Sequence, residues 1–136
     1  MKILFLSQSN SCRSQIAEAL LRSMDNRLSI FSAGLDPVDH IEPIAIEVMA
    51  EIGIKVVEKK PENFSKYKDT EFDFLITVGD GTPEELIIPS VKAKRKMHLG
   101  FSNPFKTSRD PEEIREICRE IRDEIQVELD YFYNRI

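Results

Sequence analysis

The residues best suited to chemistry lie in one short stretch near the start of the chain, residues 7–14 (SQSNSCRS). An apolar run at residues 3–6 precedes it, as in a strand buried on both faces of a parallel sheet, and an amphipathic helix pattern follows it. A strand-to-helix turn points successive backbone N–H groups and the positive end of the helix dipole at one spot. Arg13 adds a guanidinium that can hold an oxyanion through two parallel hydrogen bonds. The stretch therefore predicts a cradle for phosphate or a similar oxyanion.

This stretch resembles the anion loop of the low-molecular-weight protein tyrosine phosphatases and the thioredoxin-coupled arsenate reductases. The loop of that family reads Cys, five residues, Arg, then Ser or Thr, and here Ser7, Arg13 and Ser14 have the same spacing. Residues 31–35, 43–45 and 98–101 also match, so the resemblance covers nearly the whole chain. The expected anion-binding residues are Gln8, Ser9, Asn10, Ser11, Cys12, Arg13 and Ser14.

The chain departs from the family at the positions that carry its chemistry. The nucleophile position holds Ser7, whose hydroxyl stays protonated at neutral pH, and no histidine lies near it in the sequence. The acid position holds Asn103, which cannot give a proton to a leaving group. The two further redox cysteines of the arsenate reductases match Gly79 and Ile88. A single Cys-to-Ser exchange would explain Ser7 alone, so we expect a natural member that has kept the fold and the loop and has lost the catalysis.

Cys12 leaves two interpretations open. It precedes Arg13 near the positive end of the first helix, which should favour a thiolate. We prefer a buried, inert thiol, and the alternative is a redox-sensitive or metal-binding one. Cys118 fits a core position of a helix, and Asp80 is expected at the solvated surface.

The resemblance also implies a partial remnant of the monovalent cation site found in the reductases. Asn10, Glu18 and Ser32 match its positions, whereas the family's Thr and Asp are replaced at about residues 60–62. The ammonium of Lys60 could stand in for the cation beside Glu18, or Lys60 could simply be exposed to solvent. We expect no bound metal and no cofactor.

Length and composition limit the remaining possibilities. With 136 residues, the chain is expected to form one domain spanning residues 1–136. Its net charge of -5 argues against a nucleic-acid partner, and the basic run at residues 92–96 is interpreted as a solvated loop rather than a polyanion-binding patch. No segment is apolar enough to span a membrane, and no signal sequence is evident. We therefore expect a cytoplasmic monomer.

Strand and helix signals alternate along the chain, which predicts an α/β fold with a twisted parallel sheet between two layers of helices. The expected strand order is 2-1-3-4, which places residues 7–14 at the topological switch point where such folds bind ligands. The predicted strands are residues 2–6, 28–33, 72–78 and 94–99, and the predicted helices are residues 11–24, 43–52 and 111–133.

Two functions are compatible with the sequence. We favour a non-catalytic protein that binds an oxyanion (phosphate, arsenate, sulfate or a phosphorylated ligand) in the loop. The alternative is an active arsenate reductase or protein tyrosine phosphatase that works through Cys12 or Ser7.

Overall fold

The computed structural model describes residues 1–56, 59–80 and 91–136. The strands are β1 (Lys2–Ser7), β2 (Ser29–Gly34), β3 (Glu71–Gly79) and β4 (Lys92–Gly100). The helices are α1 (Arg13–Met24), α2 (Pro43–Ala50), α3 (Pro104–Thr107) and α4 (Pro111–Tyr133), with a short 3₁₀ helix at Phe64–Tyr67. None of the helices in these ranges has the length and apolar content that crossing a bilayer requires.

The strands form one parallel sheet in the order β2-β1-β3-β4, which confirms the predicted class and strand order. The central strand β1 pairs with β2 on one side, where Ser7 lies opposite Gly34, and with β3 on the other. The chain thus leaves β1 in one direction to form β2 and later returns to the opposite side to form β3. The loop after β1 lies at this change of direction.

The two faces of the sheet carry separate apolar clusters. Alternate residues of a strand point to opposite faces, so Ile3 and Phe5 pack on one face whereas Leu4 and Leu6 pack on the other. The larger cluster contains residues of α1, α2 and α4, and the smaller one contains Tyr67 of the 3₁₀ helix. Because β1 is covered on both sides, its carboxyl end and the loop that follows have a rigid base.

The last helix, α4, has the bounds that the sequence predicts. Its apolar residues recur every three or four positions, and their side chains face the larger cluster. Phe132 packs edge-on against Phe74 of β3, with 4.9 Å between ring centroids. Cys118 is fully buried, as expected for a core residue. The buried positions of the stripe are Ile114, Cys118, Ile121, Ile125, Leu129 and Phe132, with Ile117 partly buried.

The interpretation of residues 92–96 as a loop is wrong, because the run belongs to the edge strand β4, which begins two residues before the predicted strand at residues 94–99. Its basic side chains are exposed or partly exposed, and Lys94 pairs with Asp73 at 3.5 Å. Among the described residues β4 pairs with β3 and with no other strand, so it is the edge strand of this part of the sheet. Exposed lysines on such a strand discourage pairing with another sheet. Because most residues of β4 are exposed, this strand does not need the continuous apolar run of a buried strand, and its sequence is a weak indication of a strand.

A substitution in α4 tests how much the larger cluster contributes to stability. Leu129→Ala removes a fully buried side chain and should lower the free energy of unfolding by about 2–5 kcal/mol, through lost apolar burial and the cavity left behind. Val127→Ala, two residues away and 66% exposed, is the matched control and should change it by less than about 0.5 kcal/mol. Urea denaturation followed by circular dichroism measures both. Equal effects would mean that α4 does not pack on the sheet as described.

Candidate anion-binding site

The loop between β1 and α1 curls around the hydroxyl of Ser7. The Oγ atoms of Ser7 and Ser14 are 2.8 Å apart, and the backbone N–H of Asn10 donates to Ser7 Oγ at 3.1 Å. The side-chain amide of Asn10 donates to Ser14 Oγ at 2.9 Å. Ser7 is buried, so its hydroxyl forms the base of the loop, as expected for the first loop position.

Asn10 fixes the loop from three directions. Its φ of +55° lies in the left-handed region, which Asn tolerates better than most residues. Its carbonyl oxygen accepts a bond from Gln15 Nε2 at 2.9 Å, and its Oδ1 accepts the N–H of Glu62 at 3.0 Å. Gly34 of β2 comes so close that an added Cβ would lie 3.1 Å from Asn10 Cβ and from the carbonyl of Gln8. The loop is thus held by α1, by β2 and by the segment before the 3₁₀ helix.

Several loop amides are left available for a ligand. Within the described ranges, no residue accepts a hydrogen bond from the backbone N–H of Ser9, Ser11 or Cys12. These amides precede a twelve-residue helix, whose N-terminal end attracts negative charge. The geometry therefore has the elements of an oxyanion cradle.

Arg13 is held by a partner that the sequence pattern did not reveal. Its Nη1 donates to Asp80 Oδ1 at 3.0 Å and to the carbonyl of Phe101 at 2.7 Å. Asp80 is partly exposed, but it also lies 3.4 Å from the ammonium of Lys106, so it has ion-pair partners that the surface position expected from the sequence did not include. Asp80 follows β3 at a distance of 67 positions from Arg13, and only the parallel pairing of β1 with β3 brings them together. Because both bonds use Nη1, the other edge of the guanidinium can face a ligand.

A pocket of about 200 Å³ opens above the loop. Asn103 lies at its wall, and its Oδ1 accepts the N–H of Phe105, so this side chain caps α3. Glu42, half-buried, is a second wall residue that no sequence motif had pointed to. The lining residues are Ser7, Ser9, Ser11, Cys12, Arg13, Glu42, Asn103 and Phe105. Of the sequence-predicted loop residues, Gln8, Asn10 and Ser14 lie outside this lining and support the loop instead.

Cys12 lies in the pocket wall with a thiol that is protected from ionisation. A hydrogen bond with the Cys118 thiol and burial raise the pKa of Cys12 well above its usual range, although the nearby charge of Arg13 opposes this shift. Local burial and the neighbouring thiol thus outweigh the helix end, which on its own would favour a thiolate. Both cysteines are unbridged, and the described residues contain no group of three or more His, Cys, Asp or Glu side chains arranged to hold a metal.

The residues of the former cation site do not fit a cation. Glu18 is buried, and its Oε1 accepts a hydrogen bond from Lys59 Nζ at 2.7 Å. Lys60, which could have replaced the cation beside Glu18, is exposed, so the alternative that it is simply exposed to solvent is confirmed. Lys59 provides the ammonium beside Glu18 instead. Arg22 adds a second, longer contact with Glu18 at 3.5 Å.

The two remaining oxygens of that site are no better placed to hold a cation. Asn10 Oδ1 is occupied by the amide of Glu62. Ser32 Oγ is buried and has no hydrogen-bond partner among the described residues. The Ser32 hydroxyl alone cannot supply the several oxygen ligands that a cation needs. The ammonium of Lys59 already neutralises the charge of Glu18. We therefore assign no metal to Asn10, Glu18 and Ser32.

The other positions compared with the family carry no catalytic group. Gly79 ends β3 opposite Gly100, and Ile88 lies outside the described residues. His98 hydrogen-bonds through Nδ1 to Thr77 Oγ1 at 2.7 Å, and His40 is exposed. Among the described residues, no histidine lines the pocket above Ser7.

Comparison with known proteins gives consistent results. The family model for low molecular weight phosphotyrosine protein phosphatases matches residues 2–135. An arsenate reductase from Halalkalibacterium halodurans is 31% identical over 124 residues, which cover 90% of this chain and 88% of that protein. A solved arsenate reductase in the phosphate-binding state is 22% identical, with a TM-score of 0.76 over 99% of this chain and 98% of the other. A mutant arginine phosphatase with a phosphorylated active-site serine is 23% identical, with a TM-score of 0.67 over 93% and 89% of the two chains.

The ion pair of Glu18 can be tested with two adjacent lysines. Lys59→Ala leaves a buried carboxylate with only the longer Arg22 contact, and should lower the free energy of unfolding by about 1–3 kcal/mol. Lys60→Ala removes the same charge from an exposed position and should change it by less than about 0.5 kcal/mol. Thermal or urea unfolding measures both, and equal values would contradict the assignment to Lys59.

The raised pKa of Cys12 predicts that its thiol is alkylated slowly. Alkylation by iodoacetamide at neutral pH should proceed at least about tenfold more slowly at Cys12 in the folded protein than in the same protein unfolded in guanidinium, because the thiolate is the reacting form. Peptide mapping by mass spectrometry separates Cys12 from Cys118. Equal rates in the two states would show a reactive thiol and revive the redox interpretation.

Proposed function

The chain belongs to the low-molecular-weight phosphotyrosine protein phosphatase family, which includes the related arsenate reductases, and we propose that it acts as an oxyanion-binding member with lost or much reduced catalysis. The ligand is phosphate, arsenate, sulfate or the phosphoryl group of a larger molecule, bound within residues 8–14. The observation that carries this proposal is that Ser9, Ser11 and Cys12 line the pocket together with Arg13, and that their backbone amides have no hydrogen-bond acceptor among the described residues.

Backbone dipoles of the loop and one edge of the Arg13 guanidinium would hold the anion. The loop amides and the N-terminal end of α1 supply partial positive charge, and Arg13 supplies the Nε and Nη2 donors that its bonds to Asp80 and Phe101 leave over. The related arsenate reductase solved in a phosphate-binding state supports this kind of ligand.

The proposed loss of catalysis rests on three side chains. The Ser7 hydroxyl contacts Ser14 and the amide of Asn10, and neither of them is a base that could activate it. Asn103 caps α3 and has no acidic proton to donate. The thiol of Cys12 has a raised pKa and stays protonated at neutral pH. A phosphatase or a thiol-based reductase would need a stronger nucleophile than these residues supply.

The second candidate function is an enzyme that works through Ser7 or Cys12. The mutant arginine phosphatase with a phosphorylated active-site serine favours Ser7 over Cys12 as the acceptor. In such a step, Ser7 Oγ would bond to phosphorus, the bond from phosphorus to the leaving atom would break, and the leaving atom would take up a proton. Without a base near Ser7 among the described residues, we place this candidate second.

The remaining proposals concern the state of the protein in the cell. We propose that residues 1–136 act as one domain, which the family match over residues 2–135 supports. We also propose a cytoplasmic monomer with no nucleic-acid partner, and the net charge of -5 supports the last point. Light scattering after gel filtration measures the oligomeric state.

Phosphate titration followed by backbone amide NMR tests the binding site. Inorganic phosphate should shift the amide signals of residues 8–14, and Arg13→Ala should weaken its binding at least about tenfold, because a charge-assisted hydrogen bond is worth about 1.5–3 kcal/mol. Ser7→Ala should change the affinity little, since the hydroxyl is neutral and lies at the base of the loop. Arg27→Ala removes a charge that is 84% exposed, on the turn between α1 and β2, and is the matched control. An absence of shifts in millimolar phosphate would refute binding.

Turnover assays separate the two candidates. The protein should not hydrolyse an aryl phosphate, nor reduce arsenate with thioredoxin or a small thiol. Mass spectrometry after incubation with the aryl phosphate should show no phosphoryl group on Ser7. Turnover that disappears in Ser7→Ala or Cys12→Ala would overturn the proposed loss of catalysis and identify the nucleophile.

A further inference from the structure

One wall of the anion pocket carries a negative charge that simple phosphate binding does not explain. Glu42 lines the pocket together with Ser7, Arg13 and Phe105, and it is half-buried. Its backbone N–H donates to the carbonyl of Ser11 at 2.9 Å, so its main chain is tied to the anion loop itself.

The carboxylate of Glu42 has no structural partner in the described part of the chain. Glu42 occupies the N-cap position of α2, but its side chain makes no capping hydrogen bond. No ion pair within the described ranges involves it. By contrast, Asn103 on the same pocket uses its side chain to cap α3. Glu42 is therefore not explained by helix capping or by pairing with a basic residue.

The charge balance of the pocket disfavours a bare dianion. The positive charge of Arg13 is already opposed by Asp80 at 3.0 Å, and Glu42 adds a second negative charge at the wall. Like charges in a partly desolvated pocket repel each other. A ligand that brings its own positive charge next to the phosphoryl group would remove this repulsion.

Phe105 gives the same pocket an aromatic surface. Its side chain is half-buried and packs against the larger core cluster, while part of it lines the pocket. A carboxylate and an aromatic ring on one pocket are the two groups that bind organic cations, the first by charge and the second by its negative ring face.

We propose that the preferred ligand is an organic phosphate that carries a cationic group a few bonds from its phosphoryl group. The phosphoryl group binds the loop amides and Arg13, and the cation binds between Glu42 and Phe105. This assignment rests on the proposed oxyanion binding and specifies the ligand class for the same pocket.

Two isosteric probes test the charge requirement. Phosphocholine and 3,3-dimethylbutyl phosphate have the same shape and differ in a quaternary nitrogen against a neutral carbon. The wild-type protein should bind phosphocholine at least about fivefold more tightly, measured by calorimetry or amide NMR at one pH and salt concentration.

Variants of Glu42 and Phe105 test whether these two side chains cause the preference for phosphocholine. Glu42→Gln should clearly reduce the preference while keeping or improving the affinity for 3,3-dimethylbutyl phosphate, because it removes the negative charge at the wall without shortening the side chain. Phe105→Leu should reduce the preference for the cation. Glu128→Gln, on the exposed face of α4, is the charge-matched control and should leave the preference unchanged.

The outcomes distinguish this inference from the function on which it rests. Equal binding of the two probes by the wild-type protein, or a preference that is undiminished in Glu42→Gln, would overturn the inference while oxyanion binding stands. If neither probe nor inorganic phosphate shifts the loop amides, oxyanion binding fails, and the ligand class fails with it.

Discussion

The hydrogen bonds of Asn10 are the constraint on which the site depends. A residue with positive φ turns the chain sharply between β1 and α1, and its side chain is fully buried with both polar atoms bonded. If its contacts with Ser14 and Glu62 were lost, buried donors and acceptors would be left without partners, which costs more than the bonds contribute. This closed turn fixes the position of Ser9, Ser11 and Cys12, the loop residues that line the pocket next to Arg13.

The serine at the base of the loop is compatible with this closed geometry. A hydroxyl both donates and accepts, so Ser7 can bond to Ser14 while accepting the N–H of Asn10. A thiolate would only accept and would bring a negative charge to the same spot. The neutral hydroxyl therefore preserves the shape of the loop and removes repulsion towards a bound anion, while it also removes the strongest nucleophile.

Two ion pairs fix charged side chains at the loop. Asp80 orients Arg13, and Lys59 neutralises the buried Glu18 behind the loop. Both pairs fix structure without a bound ion. Glu42 is the carboxylate on the pocket wall that lacks such a pair among the described residues, and it is tied to the loop through Ser11. The electrostatic character of the site towards a ligand is thus decided at Glu42 and at the free edge of Arg13.

The sequence alone determined the features that depend on local pattern. The parallel α/β sheet followed from alternating elements and right-handed crossovers, α4 from its apolar stripe and capping sequence, and the loop from its position after a buried strand, while the strand order came with the family resemblance. Tertiary structure decided what depends on residues far apart in the chain. Asp80 meets Arg13 through the pairing of β1 with β3, and Cys118 on α4 reaches Cys12 and raises its pKa. Whether a particular lysine reaches Glu18 depends on the path of an irregular segment, which has no periodicity to reveal it.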